Sequence, residues 1–394
     1  MMNSSPSNRF RGLFVAACLA MLSFGIVMTT LGSILPSLFA KIPEISKADA
    51  GSLILLMSLG ILIGSLLFGP IVDRFGYKMI LVVGVFLISL CLVVIAWSEQ
   101  LLILRITLFV NGLGGGIING SANALVVDIA EGKNKGARLS LLGIFFGLGA
   151  AGIPFLLGSL EPYQIAYEVI LTATSALMVP LLIYILILSF PAAKMKQGFP
   201  LRDGIQLLKH PTMWILGAIL FLESGLEITS GSWATTFLKE NLAVAHGLSL
   251  YLLSFYWLGM MLSRLALNSI LSRYSNQRAL YGSFALGIVG ALCLIATTHV
   301  FIAGIGIFLL GAGFAGAFPI VLGFIGAKYA TLSGTAFSLA FVMALCGGML
   351  LPWLTGIMGG IFSLRAMLSL IPALILIQAG LLALFSRLST SPTD

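Results

Sequence analysis

Residues 80–95 decide the fold class, since they read ILVVGVFLISLCLVVI, an apolar run whose one hydroxyl side chain is Ser89. A strand of a transmembrane barrel would show about ten residues in which apolar and polar side chains alternate. This stretch does not alternate, and a backbone inside a bilayer must satisfy its hydrogen bonds within a helix or a closed barrel. The stretch therefore predicts a membrane-spanning α-helix.

The composition of the whole chain extends this prediction. The chain has 394 residues, of which 59% are apolar and 9% are charged, whereas a soluble protein carries about 25% charged residues. A helix that crosses a bilayer needs about 20 apolar residues, so the apolar residues suffice for about twelve such helices. These figures exclude a cytosolic enzyme, a secreted disulfide scaffold and a disordered chain. We expect an all-α membrane protein.

Apolar runs separated by polar residues divide the chain into twelve predicted spans. Six of them precede the longest polar connection, residues 191–211, which lies close to the midpoint of the chain. We therefore expect an N-terminal six-helix bundle at 1–190, a cytoplasmic linker at 191–211 and a C-terminal six-helix bundle at 212–394. Two equal halves suggest an internal duplication. The predicted spans are residues 13–39, 50–72, 79–97, 101–128, 139–160, 165–190, 212–239, 249–271, 279–297, 300–326, 334–361 and 365–386.

The positions of the positive charges predict the orientation of the spans. Cytoplasmic loops of membrane proteins carry an excess of Lys and Arg. If the N-terminus is cytoplasmic, all but five of the 21 Lys and Arg residues fall on the cytoplasmic side, which predicts that both termini lie there. The net charge of +8 is thus explained by topology. A nucleic-acid partner is not expected, because no basic cluster is long or interleaved with aromatic residues.

A short motif follows the second predicted span, where residues 69–78 read GPIVDRFGYK. We expect Gly69 to let two helices approach closely and Gly76 to permit a tight turn. Arg74 and Lys78 would hold the turn on the cytoplasmic side. The pattern resembles the G-x-x-x-D-R-x-G-x-[RK] signature of the major facilitator superfamily, whose transporters have twelve spans in two sets of six.

This resemblance assigns a role to the turn and to the loop after span 4. It implies a charge-paired latch that stabilises the outward-open state, with the alternative that the same charges only set the topology. The corresponding turn after span 8 keeps Arg273 and Arg278 but has Ser272 in place of the acid, so a second latch would be weaker or absent. The latch residues are Gly69, Asp73, Arg74, Gly76, Lys78, Asp128, Glu131 and Arg138.

Several spans also resemble the fucose and glucose permeases, a branch of sugar–proton symporters in that superfamily. The likeness includes residues 112–126, 221–233, 256–264 and 311–319, and it implies that spans 1, 4, 7 and 10 line a central cavity. Span 1 departs from the branch because it has no acidic residue, and Asn119 stands where span 4 of those permeases carries an acid. Their coupling chemistry therefore does not transfer to this chain.

Glu223 and Glu227 are the leading candidates for a functional site. They lie near the middle of span 7 and are four residues apart, which puts them on one face of a helix. A charged group inside a membrane is costly and indicates function. Two neighbouring carboxylates in a low dielectric do not both ionise readily, so one of them is expected to bind a proton or another cation. The alternative is that each is satisfied by a polar neighbour and only aids packing.

Other polar and aromatic residues complete the predicted site. Asn119 and Asn123 share a face of span 4, and their amides offer donors and acceptors that suit a polyol; hydrogen bonds between helices are the alternative. Three aromatic side chains could stack on a sugar ring, although aromatic residues are common in any membrane core. The predicted substrate-binding set is Asn119, Asn123, Glu223, Glu227, Trp233, Trp257 and Phe318, with Glu227 and Glu223 as the ion-coupling residues.

These features favour a secondary transporter that moves a small polar solute, a hexose-type sugar above all, across a bacterial inner membrane. We expect a monomer surrounded by lipid, with no cofactor apart from a coupling proton or sodium ion. The alternative is a facilitator or a proton-coupled exporter of other small polar or amphipathic compounds. An intramembrane enzyme is not favoured, because the three histidines are scattered and supply neither a base nor a metal site. The four separated cysteines are expected to be free thiols.

Overall fold

The computed structural model of the chain describes residues 6–129, 135–191, 207, 209–329 and 333–389. At residues 6–9, 70, 73, 135–137, 268, 333–335 and 389 it describes the backbone alone. Twelve helices in these ranges are long and apolar enough to cross a membrane, and α1 to α12 denote them in chain order. The predicted all-α fold with twelve spans is therefore confirmed, while the orientation of the termini stays a prediction.

The helix bounds lie within a few residues of the predicted spans. In the first half, α1 is Pro6–Lys41, α4 is Leu101–Ile129, α5 is Lys135–Leu160 and α6 is Tyr167–Ile187. Between them, α2 (Lys47–Gly69) and α3 (Arg74–Trp97) are the two apolar parts of one helix, Lys47–Trp97. In the second half, α7 is Pro211–Leu242, α8 is His246–Leu271, α9 is Asn276–Ala296, α10 is Val300–Lys328, α11 is Ser333–Ile361 and α12 is Leu364–Leu388.

The connection between α2 and α3 differs from the predicted loop. The helical path runs through the motif at 69–78 and is broken at Gly76, whose φ of 78° lies in the left-handed region. An L-residue with a side chain adopts this conformation only at a cost, whereas glycine adopts it freely. The tight turn predicted at Gly76 is thus confirmed, and it occupies one residue.

Two spans that were predicted as continuous are interrupted, and a proline explains each break. Helix α10 consists of Val300–Phe314 and Ala317–Lys328, and Pro319 lacks the N–H that would donate to the carbonyl of Ala315. Helix α12 consists of a short turn, Leu364–Leu368, and a longer part, Ile371–Ser389. Pro372 likewise lacks the N–H that would continue the first part of α12.

Backbone contacts divide the chain into two compact units. The first contains most of α1 to α6 and the second most of α7 to α12. Two short segments are exchanged, since Ser46–Gly51 groups with the second unit and His246–Ser254 with the first. The predicted domain limits around 191–211 fall largely outside the described residues and stay a prediction. The four cysteines are free, as expected.

Within each unit, glycines bring helices into close contact. In the first unit a Cβ on Gly149 of α5 would collide with the carbonyl of Leu22 in α1, and one on Gly112 of α4 with that of Met57 in α2. Small residues at such positions let helix backbones approach closely in membranes. The glycine run at 112–116 is therefore a packing surface of a helix.

The second unit repeats the same helix pairs, with each helix number increased by six. A Cβ on Gly347 of α11 would collide with the carbonyl of Phe221 in α7, and one on Gly311 of α10 with that of Tyr256 in α8. The pairs α1–α5 and α2–α4 thus correspond to α7–α11 and α8–α10. This correspondence agrees with the predicted duplication.

Candidate functional site

The two glutamates of α7 lie one turn apart in the second unit. Glu223 is fully buried, and the side chain of Glu227 is 13% exposed. Every other residue between Phe221 and Trp233 is uncharged. Although the two carboxylates share one side of the helix, they have different partners.

Glu223 is bound to α12 through a glutamine. Gln378 Nε2 donates to Glu223 Oε2 at 3.0 Å and to the backbone carbonyl of Ile219 at 3.2 Å. Gln378 is fully buried and lies in the stripe Ile375, Leu382 and Phe385, which α12 turns toward the interior of the unit. Gln378 was not among the predicted site residues, although one polar residue in an apolar stripe with helical spacing is a signal that could have found it.

Glu227 faces α8 instead. Its Oε2 lies 4.0 Å from Arg264 Nη2, whose side chain is 32% exposed. The distance exceeds the usual 2.7–3.2 Å of an N–H···O hydrogen bond, so the two groups attract each other as charges without a direct hydrogen bond. The buried Tyr256 of α8 donates to the backbone carbonyl of Glu227 at 2.9 Å, which ties the two helices together at this level.

Buried hydroxyl groups without partners follow Glu227 along α7. Ser230 lies one turn beyond Glu227, and its buried Oγ has no hydrogen-bond partner among the described residues. The same holds for Thr229 Oγ1 and Thr236 Oγ1. A buried hydroxyl without a partner is costly, so this part of α7 can hydrogen bond an additional molecule.

Asn119 and Asn123 lie in the first unit and bind each other. Asn123 Nδ2 donates to the backbone carbonyl of Asn119 at 2.8 Å and to its Oδ1 at 3.1 Å. The predicted shared helix face is therefore present. Both side chains are half-buried, and the Nδ2 of Asn119 and the Oδ1 of Asn123 have no partner among the described residues.

The three aromatic residues of the predicted site differ in their surroundings. Trp233 is fully buried and its Nε1 donates to the carbonyl of Pro352 at 3.1 Å, which favours a packing role against α11. Trp257 is also buried. Phe318 is half-buried and its ring centroid lies 5.6 Å from that of Phe341. Their stacking on a substrate stays a prediction.

The described latch residues make contacts within the first unit that the sequence analysis did not name. Tyr77 donates its hydroxyl proton to Asp128 Oδ2 at 2.6 Å. The guanidinium of Arg138 lies 3.9 Å from the ring centroid of Phe10 in α1, and that of Arg74 lies 5.2 Å from the ring centroid of Phe75.

The prediction that Gly69 lets two helices approach closely is wrong for the described residues. A Cβ built there meets nothing within 4 Å among the described residues. A Cβ on Gly152 of α5 likewise meets nothing within 4 Å among the described residues. The side chain of Asp73 and all of Glu131 lie outside the described residues.

A cavity of about 540 Å³ lies in the first unit between α1, α5 and α6. Its lining is mainly apolar, with Ser23, Thr174 and Tyr184 as the polar members. Such a lining suits an acyl chain or an amphipathic compound better than a sugar. In the described part of the chain, no group of three or more His, Cys, Asp or Glu residues could hold a metal ion.

Comparisons with known proteins agree with this architecture. The family model described as Major Facilitator Superfamily matches residues 13–352. Bypass of stop codon protein 6 of Saccharomyces cerevisiae is 27% identical over 66% of this chain, and the match spans 58% of the yeast protein. The glucose/mannose transporter GlcP of Bacillus subtilis is 22% identical over 79% of each chain.

Solved structures show the same fold. A mutant of the nucleoside transporter NupG superposes with a TM-score of 0.81 at 16% identity, covering 96% of this chain and 99% of that chain. A D-xylose–proton symporter superposes with a TM-score of 0.78 at 14% identity, covering 95% of this chain and 97% of that chain.

Proposed function

The chain belongs to the Major Facilitator Superfamily, and from this premise we propose that it carries a hexose-type sugar across a bacterial inner membrane together with a proton or sodium ion. It is an integral membrane protein of a transporter family and not an enzyme. The proposed energy source is an ion gradient or the substrate gradient itself.

The observation that carries the proposal is the charged pair Glu227–Arg264 beside the buried Glu223. Charged side chains in membrane-spanning helices are rare and mark substrate or ion pathways. At 4.0 Å the pair leaves room for a hydroxyl group that donates to the carboxylate and accepts from the guanidinium. A sugar offers several such hydroxyls, whereas an apolar solute offers none.

Transport of the cation and of the substrate would be coupled if both of them change the interaction between Glu227 and Arg264. A cation bound at the two glutamates would reduce the attraction between Glu227 and Arg264, and the helices that carry them would then favour a different arrangement. A ligand shifts a conformational equilibrium only by its differential affinity for the two states. A charge pair that forms in one state and opens in another supplies such a difference.

Three of the similar proteins support a polyhydroxylated substrate without naming one. GlcP is a glucose/mannose transporter by its printed name, and the two solved structures are those of a nucleoside transporter and a xylose–proton symporter. All three names denote transporters of sugars or of sugar-containing molecules. We propose that Asn119 and Asn123 contribute the free halves of their amides to the same type of substrate.

Uptake into proteoliposomes tests the coupling. We expect purified protein to accumulate labelled glucose or mannose when a pH or sodium gradient is imposed. In Glu227→Gln we expect this accumulation to fall at least tenfold. Glu44→Gln is the matched control, since Glu44 is exposed and precedes α2. Intact accumulation in Glu227→Gln would contradict the coupling role of Glu227.

A substrate screen tests the chemical class. Thermal unfolding is measured with hexoses, pentoses, nucleosides and amphipathic drugs, each with and without sodium. A shift with a hexose supports the sugar assignment. A shift with an amphipathic drug and none with any sugar would refute it and favour the alternative function as an exporter, for which the apolar cavity of the first unit would be the binding site.

A further inference from the structure

The Glu223–Gln378 contact has an unbalanced set of hydrogen-bonding groups. Both hydrogens of the Gln378 amide are used, one by Glu223 Oε2 and the other by the carbonyl of Ile219. Glu223 Oε1 and Gln378 Oε1 are buried and have no partner among the described residues. Two acceptors therefore remain and no donor, so the pair lacks one hydrogen.

The charges around Glu223 are few. The charged groups that act on it are Glu227 on the same helix and Arg264 on α8, and Arg264 is within ion-pair distance of Glu227. Helix α11 contains no charged residue, α10 has only Lys328 at its end, and α12 has Arg365 and Arg387 near its two ends. No basic side chain of the described residues thus forms an ion pair with Glu223.

An ionised carboxylate without a counter-charge is not stable in such surroundings. Burying an isolated ion costs far more than burying a neutral polar group, so the group takes up a proton or a metal cation instead. Glu223 is fully buried and its one hydrogen-bond partner is a neutral amide. We therefore expect Glu223 to bind a proton or a metal cation.

We propose that Glu223 and Gln378 form a proton-binding site, one helical turn from the Glu227–Arg264 pair, in which the proton occupies Oε1 of Glu223 while Gln378 holds Oε2. In binding, a proton from solvent forms an O–H bond at Oε1 and the carboxylate becomes a neutral acid; release breaks the same bond. This inference rests on the proposed function, and it makes the proton the coupling ion. Gln378 is a positioning residue, since it acts through Glu223.

The oxygen count argues for a proton over sodium. A metal cation with oxygen ligands needs several of them around it, and this site offers two unpartnered side-chain oxygens, Glu223 Oε1 and Gln378 Oε1. A proton needs only one of these oxygens to bind. The number of oxygens at this site is therefore sufficient for a proton and too small for a sodium ion.

Infrared difference spectroscopy of the reconstituted full-length protein at neutral pH tests the site directly. We expect a C=O stretching band of a protonated carboxylic acid that disappears in Glu223→Gln, persists in Glu227→Gln and shifts in frequency in Gln378→Leu. If Glu223→Gln does not fold, the shift in Gln378→Leu still decides the assignment. A band that is unaffected by the Glu223 and Gln378 substitutions overturns the proposal, as does a band that sodium abolishes.

Uptake measurements distinguish a failure of the proton site from a failure of the proposed sugar transport. We expect uptake by Glu223→Gln to lose its response to an imposed pH gradient. If the protein moves no sugar but the band behaves as expected, the sugar assignment fails and the proton site stands. If sugar uptake follows a pH gradient equally in wild type and Glu223→Gln, the proton site fails and the sugar assignment stands.

Discussion

Gln378 Nε2 lies 3.0 Å from Glu223 Oε2 and joins α12 to α7 inside the second unit. Both side chains are fully buried. A buried polar group that loses its partner costs about 1–3 kcal/mol, whereas removal of both partners can be nearly neutral. The contact therefore has a measurable signature that does not depend on transport.

We predict that Gln378→Leu lowers the thermal unfolding midpoint and that the double variant Glu223→Met, Gln378→Leu recovers most of the loss. The leucine leaves Glu223 without a partner, and the methionine then removes the group that lacks one. Unfolding in detergent, followed by fluorescence, measures the effect. Gln100→Leu, at an exposed position before α4, is the control. A double variant less stable than Gln378→Leu would contradict this explanation.

We predict that Glu227 and Arg264 act as a unit in substrate binding. Glu227→Gln and Arg264→Ala should each weaken affinity about tenfold, which corresponds to about 1.4 kcal/mol. The double variant should bind about as weakly as the weaker single variant, because both changes remove the same interaction. Calorimetry with the sugar identified in the screen measures these affinities. Arg273→Ala, at an exposed turn after α8, is the control, and strict additivity would argue against a pair.

The sequence predicted the fold well because apolar length and charge placement are local properties. Each of the twelve spans is a run of apolar residues, and a run can be recognised without knowledge of its neighbours. The spans of α10 and α12 were predicted as continuous, since a proline in a membrane helix is often tolerated. Pro319 and Pro372 interrupt their helices, whereas Pro154 lies inside an unbroken one.

The site was predicted in part. Glu223 and Glu227 stood out because charge inside a membrane is rare, but their partners come from α8 and α12, and no local pattern connects these helices to α7. Arg264 of α8 lies within ion-pair distance of Glu227, although the two residues are far apart in the sequence. The latch motif likewise predicted the turn at Gly76 without predicting that Tyr77 would contact Asp128.

We predict that alanine at Gly347 is far more harmful than alanine at Gly380. The added methyl group at Gly347 would collide with the backbone carbonyl of Phe221, which cannot move without separating α7 from α11. Overpacking of this kind typically costs 1–3 kcal/mol. Gly380 of α12 has open space around it, so alanine there should be neutral or stabilise the helix by up to about 1 kcal/mol. The amount of folded protein and its unfolding midpoint measure both effects, and equal losses would refute the close-packing role.

The last prediction concerns the hydrogen bond from Tyr77 to Asp128, which links the turn between α2 and α3 to the end of α4. A hydrogen bond to a charged group contributes about 1.5–3 kcal/mol, and the exposure of Asp128 places this one near the lower limit. If the bond helps to hold one transport state, Tyr77→Phe should change the rate of transport more than the affinity for substrate.

The measurement is the maximal rate and half-saturating concentration of uptake in proteoliposomes. Tyr281→Phe is the matched control, because that tyrosine is exposed on α9 and its hydroxyl has no hydrogen bond among the described residues. We expect Tyr77→Phe to change the maximal rate at least threefold and Asp128→Asn to change it in the same direction, since an amide oxygen is a weaker acceptor than a carboxylate. Opposite effects of the two variants would show that Asp128 acts through another contact, and the latch would then not depend on Tyr77.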